Sequence, residues 1–245
     1  MGMHMAEMTD ASALYRFLTF FSPAFPIGAF SYSHGLEQVI EDGGVHDPES
    51  LRDWLTDILS QGSGRTDAIL LAQAYDAVRC GNEPRIRELI DLGLALQPSK
   101  ERHLETGAQG TAFMVTFAAA WMPDLDRPAA QLLARLTDRH QPDCPKAWPY
   151  PVAVGAAAAG WGLSKDDTAI AYTHAFISNL ISAAIRAVPL GQTDGQRVLA
   201  ALEPVCQATV VEALDAGLDD LGTSVFLADI ASMAHETQYT RLFRT

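Results

Sequence analysis

Residues 176–196 read FISNLISAAIRAVPLGQTDGQ, and this stretch restricts the fold more than any other. Ile177, Leu180, Ile181, Ala184, Ile185 and Val188 recur at three- and four-residue intervals, which places them on one face of a helix. Each large aliphatic contributes roughly 1.5–3 kcal/mol when buried, against roughly 1–2 kcal/mol per residue of backbone ordering, so the helix needs neighbours on that face. Pro189 has no amide hydrogen and disfavours helix at the residue before it, which predicts a helix end near Val188. Leu190-Gly191 makes the turn, and Thr193 or Asp194 can cap a second helix. Arg186, Gln192, Asp194 and Gln196 crowd the corner between the two, a density of hydrogen-bonding groups that an ordinary helix turn does not require.

The same punctuation divides the rest of the chain. Asp10 can cap a helix carrying Leu14, Phe17, Leu18 and Phe21 on one face, and Ser22-Pro23 stops it. In the segment SPAFPIGAFSYSHGLE, two prolines and Gly28 force an irregular backbone pinned by Phe25, Ile27 and Phe30, with Ser31, Tyr32, Ser33 and His34 at the start of the next helix. Asp47-Pro48 is a cap followed by proline at the first helical position. Further helices are predicted from Thr66 to Cys80, Pro84 to Leu96, Ser99 to about Trp121, and Ala129 to Arg139. His140 to Pro151 holds four prolines and reads as a long loop. Val152 to Gly162, rich in alanine and glycine, predicts a central helix that neighbours approach closely. Ser164 with Asp167 opens the long helix described first. The last helix carries Pro204 near a bend, and an irregular region begins at Asp219. No segment alternates as a strand does. The expected fold is all-α, a single-domain bundle of about ten helices with an irregular C-terminal tail at residues 229–245. Residues 1–9 are expected to be disordered or a cloning remnant.

Charge narrows the choice of partner. Seventeen basic against thirty acidic residues give a net charge of −13, which argues against nucleic acid or an anionic membrane surface. Three cysteines lie far apart without a CxxC pair, so a reducing, cytoplasmic setting is expected. No apolar run is expected to span a membrane.

Catalytic signatures are missing: there is no GxxxxGK[ST], no HExxH and no GxSxG. Neither a catalytic nor a cofactor site is assigned. His140 and Cys144 sit four apart, but Pro142 spoils the geometry and two ligands are too few for a structural metal site. His174 reads as a satisfied core residue, His34 as a cap partner, Glu105 as a solvated helix carboxylate, and His235 as a helix-end histidine. The tail is the anomaly. Tyr239, Leu242 and Phe243 alternate with Arg241 and Arg244 where termini are normally polar and frayed. Such groups need a docking surface on this chain or another, and aromatics with arginines are favoured interface anchors.

Four stretches together resemble the UreF family of urease accessory proteins: SPAFPIGAFSYSHGLE from Ser22, KERHLETGAQG from Lys100, SNLISAAIRAVPLGQTDGQ from Ser178 and SMAHETQYTRLFRT from Ser232. Ala234, Gly107 and the run around His103 depart from the family's pattern. The resemblance implies an all-helical protein without catalysis of its own. It implies a scaffold or chaperone that joins UreD (also called UreH) and the GTPase UreG to apo-urease, for GTP-dependent nickel insertion with carbon dioxide. It implies homodimers and a C-terminal segment that orders when UreD binds. On that basis Tyr239, Arg241, Leu242 and Phe243 are expected to dock UreD, and His235 and Glu236 to fix the start of the tail. Arg186, Gln192, Asp194 and Gln196 are expected to build a polar corner that holds two helices in register or meets a partner. Pro26, Gly28, Tyr32 and Glu37 are expected to shape an N-terminal surface facing UreG. An alternative is a regulator of UreG GTP hydrolysis, with an exposed Arg186 supplied in trans; arginines so used accelerate hydrolysis roughly 10³–10⁵-fold.

Overall fold

The computed structural model describes residues 10–245; residues 1–9, and the expectation of a disordered or cloning-derived start, lie outside the described residues. Among the described residues there are eleven α-helices, two short 3-10 turns and no strand. The helices are α1 (Ala11–Phe20), α2 (Leu36–Glu41), α3 (Pro48–Gln61), α4 (Ser63–Arg79), α5 (Glu83–Ala95), α6 (Lys100–Ala120), α7 (Pro128–Thr137), α8 (Tyr150–Trp161), α9 (Lys165–Ala187), α10 (Gln192–Asp215) and α11 (Phe226–His235). The all-α reading holds.

Local chemistry sets most boundaries. Asp47 Oδ1 accepts the Ser50 N–H at 2.8 Å, and the side chains of Asn82, Ser99 and Ser164 accept an amide three residues on at 3.1 Å. Each satisfies a donor the helix cannot. Val188 ends α9 at the residue before Pro189. Several boundaries differ from expectation: α10 is capped at Gly191 and not at Thr193 or Asp194, α7 ends at Thr137 and not Arg139, and α8 begins at Tyr150, inside the expected loop. Gly62 alone separates α3 from α4, so α4 starts at Ser63 and not Thr66. The tail is not irregular from Asp229, because Phe226 to His235 is helical. The outward face of α11 is itself apolar, so the sequence there lacks the polar side that marks an amphipathic helix.

The interior falls into two large clusters and a small one of Ala68, Ile69 and Ala213 between α4 and α10. One large cluster gathers α4 to α8 around Phe113, Phe117, Leu133 and α8, which is buried from Pro151 to Gly160; the other gathers α2, α3, α9, α10 and α11 around Leu36, Leu55, Ile181 and Leu202. Helix α9 belongs to both, contributing Ala169 and Tyr172 to the first and Ile177, Leu180 and Ile181 to the second. That double duty explains why α9 is apolar over its length. By length and composition α9 could cross a membrane, contrary to the expectation that no run would, but 56% of the qualifying window is buried inside this fold.

Candidate functional site

The C-terminal segment meets the body where the loop before α2, the first turns of α6 and the end of α9 converge. The loop is shaped by left-handed residues. Gly28 has φ 74°, and His34 (φ 59°) and Gly35 (φ 78°) follow one another. At Gly35 a Cβ would stand 2.8 Å from the Ser232 nitrogen, so glycine lets α11 pass directly above.

Three carboxylates from this junction hold the tail. Glu37 accepts the Leu242 N–H at 2.7 Å and the Phe243 N–H at 3.0 Å, and lies 3.1 Å from His235 Nε2. Glu101 lies 2.7 Å from His235 Nδ1 and accepts from Arg241 at 2.6 Å. Glu105 accepts from Arg102, from Gln109 and from the Thr245 hydroxyl, and lies 2.6 Å from His34 Nε2. Main-chain bonds complete the attachment: Arg244 N–H to the Ser31 carbonyl, and Ser33 N–H to the Thr245 carbonyl, which also accepts from the Ser33 hydroxyl. Glu236 accepts the Lys100 N–H at 2.7 Å at the N-terminus of α6, where a negative charge suits the helix dipole.

The result is a tail with two faces. His235 is 0% and Phe243 5% exposed, whereas Tyr239 is fully open and Leu242 68% exposed. On α11, Ala228, Ala231, Ser232 and His235 face inward, and Phe226, Leu227, Ile230 and Met233 stand outward as an exposed apolar ridge.

The predicted residues do not all gather here. Pro26 and Gly28 are exposed, but Tyr32 and Glu37 are buried and do not form a surface. Asp194 accepts the Gly191 N–H at 3.3 Å and pairs with Arg197, which fixes the start of α10. Gln192 and Gln196 are exposed. Arg186 turns away from that corner: its guanidinium lies 3.7 Å from the Phe30 ring centre and 4.4 Å from that of Phe243. His174 is exposed and is not a core residue. Glu105 is buried, not solvated. Glu101, Arg102 and Thr245 had no assigned role in the sequence, where Ser33 was only one of the polar groups at the start of α2 and only the likeness around Lys100 to Gly110 pointed at α6. Among the described residues no group of three or more His, Cys, Asp or Glu side chains could hold a metal ion.

Burial and charge compete beneath the tail, around a cavity of about 320 Å³ lined in part by His34, Asp67, Arg102 and Glu105. Burial alone would raise the Glu105 carboxyl, but the Arg102 charge, with His34 and Thr245, holds it at about 2. Asp67 goes the other way. Burial raises it to about 6, and Arg102 and the Tyr172 hydroxyl, which donates at 2.8 Å, offset only part of this. A carboxyl raised above its unfolded value favours the fold while protonated, so this contribution is lost as pH rises from about 4 to about 6. Asp67→Asn is therefore expected to stabilise the protein by on the order of 2–3 kcal/mol at pH 8. The gain shrinks towards pH 4; urea unfolding at pH 8 and pH 4.5 reads the difference.

The UreF family model matches residues 45–203. A urease accessory protein UreF of a Bradyrhizobium species (strain BTAi1) is 50% identical over 98% of this chain and 95% of its own length. The UreF of Rhodopseudomonas palustris (strain HaA2) is 52% identical over 96% of this chain and 95% of its own. That of Bradyrhizobium diazoefficiens is 49% identical over 96% of this chain and 93% of its own.

Proposed function

The chain belongs to the UreF family of urease accessory proteins, which are maturation factors and not enzymes, and from that premise we propose that it is a scaffold for nickel insertion into apo-urease. In this reading the chain joins UreD (UreH) and the GTPase UreG to apo-urease in the cytoplasm and works as a homodimer. Residues 229–245 dock UreD, with Tyr239 and Leu242 as outward anchors beside the ridge of Phe226, Leu227, Ile230 and Met233. Phe243 sets the tail's course from within, and the exposed Arg241 ties it to Glu101.

The observation that carries this reading is the two-faced tail. Its inner face is fixed to Glu37, Glu101 and Glu105, and its outer face leaves large apolar side chains in water. Exposed apolar side chains of that kind, on a helix and on the segment that follows it, fit a protein partner. The net charge of −13 and the three free cysteines support a reducing compartment without nucleic acid or membrane as partner. Leu14, Tyr15 and Leu18, exposed on α1, offer a second apolar stripe suited to another copy of the chain. The alternative, stimulation of UreG hydrolysis, requires an exposed Arg186, and Arg186 is exposed, but its guanidinium already rests against Phe30 and Phe243 of this chain and would have to leave them to reach a nucleotide.

Truncation after Met233 is expected to abolish co-purification with UreD. Because that change also strips partners from buried carboxylates, the double variant Leu227→Ser/Leu242→Ser is the cleaner test. It leaves the inner face intact and is expected to weaken UreD capture by about tenfold or more. Undiminished capture by both variants would remove the tail from the interface.

A further inference from the structure

We infer that Arg186 is a positioning residue for the tail: its guanidinium fills the gap between Phe30 and Phe243 and so fastens the C-terminal segment to the loop before α2. The inference rests on the reading of that segment as the partner-docking element, and it assigns the residue that keeps the element in place.

Arg186 sits in the last turn of α9, two residues before the helix stops at Val188. Its Nε donates to the Ser182 carbonyl at 3.1 Å and one terminal nitrogen donates to the Phe30 carbonyl at 2.9 Å. These two bonds fix the plane of the guanidinium. The guanidinium carbon lies over both rings, at distances where the quadrupole of an aromatic attracts a cation. The shift of the Arg186 pKa has burial as its one cause, with no charged neighbour contributing, although the chain holds thirty acidic residues. Arg186 itself is exposed, so the guanidinium keeps one side in water while its protein neighbours are rings and carbonyls, a setting suited to stacking. Phe30 remains 64% exposed, so removal from water is not what holds its ring in position. Three segments distant in sequence thus share one stack, and the tail's Phe243 is its last layer.

Lysine cannot replace this arrangement, because an ammonium has neither a flat face nor the fork that bonds two carbonyls while stacking. The test is amide exchange of residues 240–245 in the full chain, read by mass spectrometry, with UreD capture measured in parallel. Arg186→Ala is expected to speed exchange of the tail about tenfold while the melting temperature of the body is unchanged. Arg186→Lys is expected to exchange nearly as fast as the alanine variant. Phe30→Leu, a change at an exposed ring that leaves the core untouched, is expected to reproduce the effect and keeps the test open if Arg186→Ala does not fold. Unchanged exchange in Arg186→Ala and Phe30→Leu, or full restoration by lysine, overturns the inference. Faster exchange with undiminished UreD capture upholds the stack and counts against the docking role of the tail. Lost UreD capture with unchanged exchange makes Arg186 a direct contact and overturns the positioning role.

Discussion

Arg102→Met is expected to lower stability by about 3–5 kcal/mol, the range measured when one partner of a buried ion pair is removed and the other charge stays behind. The charge left behind is Glu105, whose side chain is 1% exposed. A carboxyl held at about 2 against its ordinary 4.5 carries on the order of 3 kcal/mol of favourable interaction in the ionised form. The sign follows from the depressed value. This stability is present above the unfolded pKa and is lost as pH falls from about 4.5 towards 2. In the variant the Glu105 carboxyl relaxes upward, so the protein is weaker at neutral pH and its stability depends less on pH in the acid range. Denaturant unfolding of both proteins at pH 7.5 and in the acid range measures the two effects together. Equal unfolding midpoints at pH 7.5 would mean that His34, Gln109 and Thr245 suffice to hold the carboxylate. Because Thr245 is one of those partners, loss of Arg102 is also expected to loosen the tail.

Gly110→Ala is expected to destabilise the fold by about 3 kcal/mol or more, while Gly107→Ala on the same helix is neutral or stabilising by up to about 1 kcal/mol. The two glycines differ in what a methyl group meets. At Gly110 a Cβ would stand 2.0 Å from the Trp148 carbonyl oxygen, a backbone atom that cannot swing aside. At Gly107 the nearest atom is a Leu94 methyl at 3.6 Å, an ordinary contact, so alanine's better helix propensity is free to act. Thermal midpoints of the two single variants decide the matter. If Gly110→Ala melted with the parent, the approach of α6 to the 148–149 backbone would be looser than these distances require.

That comparison also marks how far the sequence could be read. The alanine- and glycine-rich run at Val152 to Gly162 announced close helix packing, and Gly155 on α8 does lie under α4, with the Leu71 carbonyl where a methyl would go. Helix starts at Asp47-Pro48, Ser99 and Ser164 were legible because a cap acts over three residues. The junction that holds the tail was not. Its carboxylates come from positions 37, 101 and 105, its histidines from 34 and 235, and its other partners from 241 to 245. No periodicity links such positions, and a glutamate bound for the interior looks locally like one bound for solvent. Arg186 was noticed for its crowded neighbourhood at the α9–α10 turn, yet its contacts lie on the opposite side, with rings from two remote segments. Tyr32 and Glu37 belonged to a motif whose irregular backbone suggested a surface; the reversal at His34-Gly35 turns both inward.

That reversal has a consequence for which residue position 34 can hold. An L-amino acid at φ 59° sits in a backbone shape natural to glycine, and glycine there would relax the main chain. It would also delete the imidazole that reaches Glu105. Comfort of the local chain and usefulness of the side chain pull in opposite directions at this one residue. Drift towards the easier conformer is open only to a lineage that has already found another donor for the carboxylate below.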